Sequence, residues 1–518
     1  MPNICLCFVV HEPYRFRRYT VFDMGQNAVY EDDDRNGDIL LRNARRCYLP
    51  MNDLMLKLLK SHGGKFRVAY SFSGSALDQF EQYAPEVLES FQALGKTGHV
   101  EFLCETGPHS LAFLYSREEF DRQVKEQRAR IADLFGQTPV AFRHTKCIYN
   151  NDLGLALEEL GFKGVLTEGA EHVLGWRSPN YLYKTMEGKG IGLLLRNSSL
   201  SRDIDLNFGN RTWSEWPLTA EKFAGWITGP GMDGDLVNLF TDYHSYGLRH
   251  RKDTGIFQFM EALPGVLMKQ AGAKFLTPGE AVAKLPQVGR VDVPQFISWT
   301  DEERDLTSWL GSDMQKDAVH SLYALTSRVL ALKDREPQLL HDFERLQIAD
   351  HFNYMSTKWF SQPLPDRGSP FDSPYDAYIT YMNILGDFEL RLQAAEAAEK
   401  AGKEGKAEGK GETKAEGKGA KADDPKKVAA VAAAKAAAQT AVRAAVQSVE
   451  AATEPKAEPK ATAAAPKAES KAEPKAAAAA SKPEPKAVPK AEPKAAAKAA
   501  PAKGKEQSAK SGGKGKKK

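Results

Sequence analysis

Leu236-Val237-Asn238-Leu239-Phe240-Thr241-Asp242-Tyr243-His244, read beside Arg143-His144-Thr145-Lys146-Cys147-Ile148-Tyr149, decides the fold. The first is an apolar run that breaks into ionisable side chains at its end. The second follows the apolar triplet Val140-Ala141-Phe142 and breaks in the same way. Strands buried on both faces that turn polar at their C-terminal ends describe a parallel β/α barrel, whose working groups collect at that mouth. A cation at 146 and a carboxylate at 242, one behind each strand, therefore predict a single site built by distant parts of the chain.

Outward from these two runs, the same grammar repeats. Residues 4–10 are continuously apolar and stop at His11-Glu12-Pro13, and residues 66–72 form a second strand. A third, 100–105, opens on Thr106-Gly107-Pro108-His109. Residues 164–167 present Glu168, and further strands are expected at 191–196 and near Phe275. Helices are expected between them. Asn52 is placed to cap one carrying Leu54, Leu58 and Leu59, and Asn151-Asp152 to cap another. Ser116-Arg117-Glu118-Glu119 reads as a capping box opening a helix that Gly136 ends. Alternating strand and helix gives an α/β class with a mostly parallel, barrel-like sheet. His11, Glu105, His109, Arg143, Lys146, Glu168 and Asp242 then share one rim, where they define a ligand cleft.

Beyond residue 300 the pattern is helical, with amphipathic stretches at 301–310, 314–332, 338–350 and 375–394 and a proline-rich excursion at 361–374. The expected organisation is a barrel over 1–298 and a helical domain over 299–395, with Asp350-His351-Phe352-Asn353 extending the cleft. From 396 to 518 the chain is Ala, Lys, Glu, Pro and Gly, with units such as Ala457-Glu458-Pro459-Lys460. It carries too few large apolar side chains to offset the entropy of ordering, so a disordered tail is expected. Of 71 Lys+Arg and 68 Asp+Glu, about 27 and about 14 fall after residue 400, so a net charge of +3 hides an acidic body and a basic tail. Such a tail suits an anionic partner. The five cysteines make no even framework and read as reduced thiols of a cytoplasmic protein. No secretion signal is legible at the N-terminus, and the Ala-rich stretch 428–448 carries Lys435 and Arg443, which argues against a membrane span.

Several ordered strings now resemble a known family. Val10-His11-Glu12-Pro13 with Phe16-Arg17-Arg18-Tyr19, Ala76-Leu77-Asp78-Gln79-Phe80-Glu81, Leu166-Thr167-Glu168-Gly169-Ala170, Leu236-Val237-Asn238-Leu239-Phe240 and Asp350-His351-Phe352 are similar to the α-amylase-type members of glycoside hydrolase family 57. The resemblance implies an incomplete seven-stranded β/α barrel followed by a helical domain. It also implies retaining chemistry on α-linked glucans such as starch or glycogen, with no metal and no cofactor. By that resemblance Asp242 is the acid/base candidate, while Lys146 stands where the family has its glutamate nucleophile. His11, Glu12, Glu105, His109, Arg143, Glu168, Trp213, Asp350 and His351 are the substrate-binding candidates.

The exchange at 146 is chemically severe. Retention needs one carboxylate to attack the anomeric carbon and a second carboxyl to protonate the leaving oxygen. An ammonium has no lone pair for the attack, repels an oxocarbenium-like transition state, and favours ionised Asp242 when an acid is wanted. The expected outcome is a glucan-binding protein with impaired catalysis. Two other readings stay open: an active α-glucan hydrolase or transferase in which Glu101, Glu105 or Glu168 replaces the nucleophile, and a metal-assisted enzyme using His11, His109, His144, Asp242 and His244.

Overall fold

Seven parallel strands close into a ring. In the computed structural model, which describes residues 2–229, 232–359 and 368–408, the strands in chain order are β1 (Asn3–Val10), β2 (Val68–Phe72), β3 (Val100–Leu103), β4 (Ala141–Arg143), β5 (Gly164–Glu168), β6 (Leu182–Thr185), β7 (Gly192–Arg196), β8 (Leu236–Asp242), β9 (Lys274–Phe275) and β10 (Arg290–Val291). Full ladders join β3 to β2, β2 to β1 and β1 to β8, and likewise β4 to β5 and β5 to β7. Two thin seams complete the circle. β7 meets β8 only at Arg196 opposite Asn238. β3 meets β4 through Cys104, whose N–H donates to Ala141 O at 3.1 Å and whose carbonyl accepts from Arg143 N–H at 2.9 Å.

The alternation in β1 explains why the ring is filled rather than hollow. Cys5 and Cys7 point inward to a cluster with Ala69, Leu103, Ala141, Leu166, Leu194 and Phe240, while Ile4, Leu6, Phe8 and Val10 face the surrounding helices. Small thiols and alanines fit the narrow interior of a seven-membered ring, and both faces of each strand leave water. All five cysteines are free and buried.

The helix Arg117–Phe135 starts on Ser116, whose hydroxyl accepts from Glu119 N–H, and ends on left-handed Gly136. The return half of the expected capping box is missing, because the Glu119 carboxylate turns to Arg122 and Gln123. Asn52 caps nothing: the helix Leu49–Ser61 continues directly from a π-helical segment, and Asn52 lies inside it, buried, donating to Ser90 Oγ and accepting from the Tyr243 hydroxyl. β6 was not expected. It runs antiparallel to β7 and parallel to β10, extending the sheet beyond the ring.

A helical region follows the ring. The helix expected at 301–310 forms only as Thr307–Leu310, because the segment before it is a turn with left-handed Asp301 and Arg304. The stretch 314–332 divides into Asp313–Tyr323 and Thr326–Leu332, and 338–350 into Pro337–Leu346 and Ala349–Tyr354. The last helix, Pro374–Glu408, runs past the residue-395 end expected for the helical domain. These helices share one apolar cluster with the barrel face of Phe142, Val165 and Leu193. The excursion at 361–367 and the tail beyond 408 lie outside the described residues. No helix among the described residues is long and apolar enough to cross a membrane.

Candidate active site at the barrel mouth

Lys146 reaches the mouth on a strained turn. After β4 the chain makes one tight turn, Thr145–Cys147, in which Lys146 (φ 48°) and Cys147 (φ 55°) both adopt the left-handed conformation that side-chain-bearing residues avoid. Neighbours hold it there: Trp299 N–H donates to Lys146 O at 3.0 Å, Thr167 Oγ1 to Cys147 O at 3.0 Å, and Thr145 Oγ1 to Ser110 O at 2.7 Å. Lys146 thus lines a cavity of about 340 Å³ together with Asp242, Asp205, Arg196, Trp299 and Asp350. Its side chain is partly buried, and its ammonium forms no ion pair among the described residues.

Asp242 is the last residue of β8. Its carboxylate accepts from His244 N–H at 3.0 Å, and its own N–H donates to Asp205 Oδ1 at 3.2 Å. Burial works to raise the Asp242 carboxyl, but the His244, Arg249 and Lys146 cations outweigh it and hold the group below the ordinary range. Asp205, from the π-helical segment Asp203–Asn207, moves the other way. Burial pushes it up to about 6, with the neighbouring Asp242 charge adding to the rise, against Arg196 and Arg249. Nothing in the sequence marked Asp205, because π-helical segments leave no periodicity to read.

Around this cavity the other rim residues are locked in buried pairs. Glu105 forms an ion pair with Arg143 and accepts from His109 Nδ1–H, the latter at 3.2 Å. Glu168 is clamped by Arg196 at 3.0 Å, by Arg304 and by Ser198 Oγ. Glu12 accepts from Asn43 at 2.7 Å and Tyr48 at 3.0 Å and pairs with His244 at 3.1 Å. None of these three glutamates lines the cavity. Glu101 sits at the opposite end of the ring, accepting from Gly279 N–H at 2.8 Å. His11 lies 2.7 Å from Asp350 Oδ2, its ring stacked on His109 with centroids 3.9 Å apart.

Three further candidates point elsewhere. His351 stacks on Phe16 and donates to Arg345 O. Trp213 packs edge-on against Trp226. His144 is buried among Phe113, Phe120 and Phe142, where burial pushes it down to about 3. Trp299, Arg196 and Trp309 line the cavity without having been singled out as site residues. Arg196 did end an expected strand, but a lone arginine there gave no sign of bridging Glu168 and Asp205. A larger cavity of about 570 Å³ lies outside the ring, between Tyr14, Asp78, Arg130 and Arg345. Its charges are already matched, Arg130 and Arg345 both pairing with Asp78.

Fold and cavity together define a β/α-barrel protein with carboxylates, arginines and two tryptophans around one polar cavity at its mouth. The profile of Glycosyl hydrolase family 57 matches residues 5–294. A curated protein of Methanocaldococcus jannaschii, whose name as an alpha-amylase is provisional, is 36% identical over 411 residues, which cover 76% of this chain and 86% of that protein. The chain belongs to glycosyl hydrolase family 57.

Solved structures share the fold at low identity. The GH57-type branching enzyme of Pyrococcus horikoshii aligns at 14% identity and a TM-score of 0.59, covering 77% of this chain and 92% of that one. The alpha-amylase AmyC of Thermotoga maritima aligns at 12% and 0.52, covering 76% and 94%. The 4-alpha-glucanotransferase of Thermococcus litoralis aligns at 14% and 0.52, covering 76% of this chain but only 58% of that longer one.

Proposed function

We propose that this chain is an α-glucan-binding member of its family in which the retaining double displacement is impaired. The names carried by its relatives, an amylase, a branching enzyme and a glucanotransferase, all concern α-glucans. The observation that carries the reading is Lys146 lining the same cavity as Asp242, on a turn that holds it there. In this reading Asp242 keeps the acid/base position and Lys146 occupies that of the nucleophile. Asp242 is held ionised by His244, Arg249 and Lys146, the wrong state for a proton donor. Glu105 and Glu168 are committed to arginines, and Glu101 lies at the far end of the ring, so none of them supplies the missing attack.

The test incubates wild type and Lys146→Glu with maltooligosaccharides and glycogen, measuring binding and cleavage separately. Wild type is expected to bind without appreciable cleavage, and Lys146→Glu to gain cleavage. Wild-type cleavage at ordinary glycosidase rates, about 1–1000 per second, would reject the reading.

One observation favours a second reading, an active hydrolase. Asp205 and Asp242 share the cavity with their titrations driven apart, one up to about 6 and the other below the carboxylate range. That separation is how two carboxyl groups divide acid and base roles. Here Asp205→Asn would abolish a wild-type activity and Lys146→Glu would not be needed to reveal it.

A further inference from the structure

Three of the substrate-binding candidates form a cluster at the mouth whose geometry suits a different ligand. One ring nitrogen each of His11 and His109 and a carboxylate oxygen of Asp350 lie within 4.8 Å of one another. They come from the end of β1, the loop after β3 and the helix Ala349–Tyr354, and so from three separate parts of the chain.

Each imidazole is held by the nitrogen turned away from the cluster. His109 Nδ1–H donates to the buried Glu105 carboxylate at 3.2 Å, and His11 Nδ1 lies 2.8 Å from Ser73 Oγ. That leaves His109 Nε2 fully buried with no hydrogen-bond partner. A buried ring nitrogen without a partner is costly and calls for a ligand. His109 also carries the backbone strain of a left-handed residue, φ 59°, to bring its ring there. A carboxylate behind an imidazole whose other nitrogen faces a second imidazole and an aspartate is the support that metal-binding histidines show.

We propose that His11, His109 and Asp350 form a binding site for a divalent ion of the zinc class. Two imidazoles and one carboxylate are a donor set that Zn²⁺ and Co²⁺ accept, with a further position left for water or a ligand. Asp350 also lines the cavity of Lys146 and Asp242, so that position belongs to the same mouth. Binding would tilt the two rings out of their stack and replace the direct contact between His11 and Asp350 by two bonds through the ion. The Lys146 ammonium, close enough to act on all three groups, opposes a dication. Removing that charge must therefore tighten the site.

Metal uptake is measured without any glucan, so it is decided separately from the proposed function. Untagged full-length protein is stripped with a chelator, dialysed, and titrated with Zn²⁺ by calorimetry and with Co²⁺ by visible absorption. One ion per chain is expected, with His109→Gln weakening uptake by about 10–100-fold and Lys146→Met tightening it. If His109→Gln fails to fold by circular dichroism, Lys146→Met decides alone. Absence of saturable uptake by the wild type, or uptake indifferent to the folded variants, overturns the assignment.

Discussion

Glu12 is completely buried, yet the His244 and Arg15 charges and the Asn43 hydrogen bond hold its carboxyl down to about 2 in spite of that burial. His244 responds in the opposite sense: burial alone would lower it, but the Glu12 and Asp242 charges raise it above 6.5. The signs fix a pH window. A carboxylate depressed from 4.5 stabilises the fold above that value and loses the contribution as pH falls toward 2. A histidine raised above 6.5 contributes below that value and loses it as pH rises through its own titration. The pair therefore stabilises most between 4.5 and 6.5. Urea unfolding from pH 4 to 8 is expected to show wild-type stability falling above pH 6.5 relative to Glu12→Gln, whose curve is flatter. Glu12→Ala strands His244, Tyr48 and Asn43 and is expected to cost about 3–5 kcal/mol.

Among the elements, one close contact at the mouth joins the ends of β5 and β7. Gly169, just after β5, donates its N–H to Arg196 O at 3.2 Å, and a Cβ there would stand 2.4 Å from that same oxygen and 3.0 Å from Pro179. A backbone carbonyl cannot step aside as a side chain can. Gly169→Ala is expected to cost about 1–3 kcal/mol in thermal unfolding and to disturb Arg196, which bridges Glu168 and Asp205 at the cavity. A substitution without measurable effect would show that β5 and β7 sit further apart. The apolar runs of β1, β5, β7 and β8 and their polar ends were legible, because burial on both faces leaves no alternation to confuse. β6 was not, since Leu182-Tyr183-Lys184-Thr185 is too short and mixed to separate from loop.

Over the whole molecule, the last helix is tied to the first loop through a buried aspartate. Asp387 is buried and accepts from Gly25 N–H at 2.6 Å and from the Tyr30 hydroxyl at 2.6 Å, contacts spanning 362 and 357 residues. Arg391 reinforces the join, its guanidinium donating to Tyr30 Oη and Asp342. Replacing Asp387 by Ala leaves a buried hydroxyl and a backbone N–H unsatisfied. The expected loss is about 2–4 kcal/mol, read as a lower urea midpoint, together with faster proteolysis between residues 14 and 31. Retention of both wild-type values would mean that the helix and loop are held by their apolar contacts instead.

The chain's own pattern determined that a parallel ring exists, which strand ends turn polar at its mouth, and that a cation at 146 shares that mouth with Asp242. Periodicity and strand-end polarity are local properties, written within a few residues of where they act. Only the tertiary structure decided which of those groups line the cavity. Glu12, Glu105 and Glu168 look alike in sequence to Asp242, but each is consumed by a partner from a distant segment, while Asp205 and Trp299 join the cavity from segments with no signal of their own. Availability depends on what packs opposite, and packing between segments from 28 to 232 residues apart is fixed by closure of the ring.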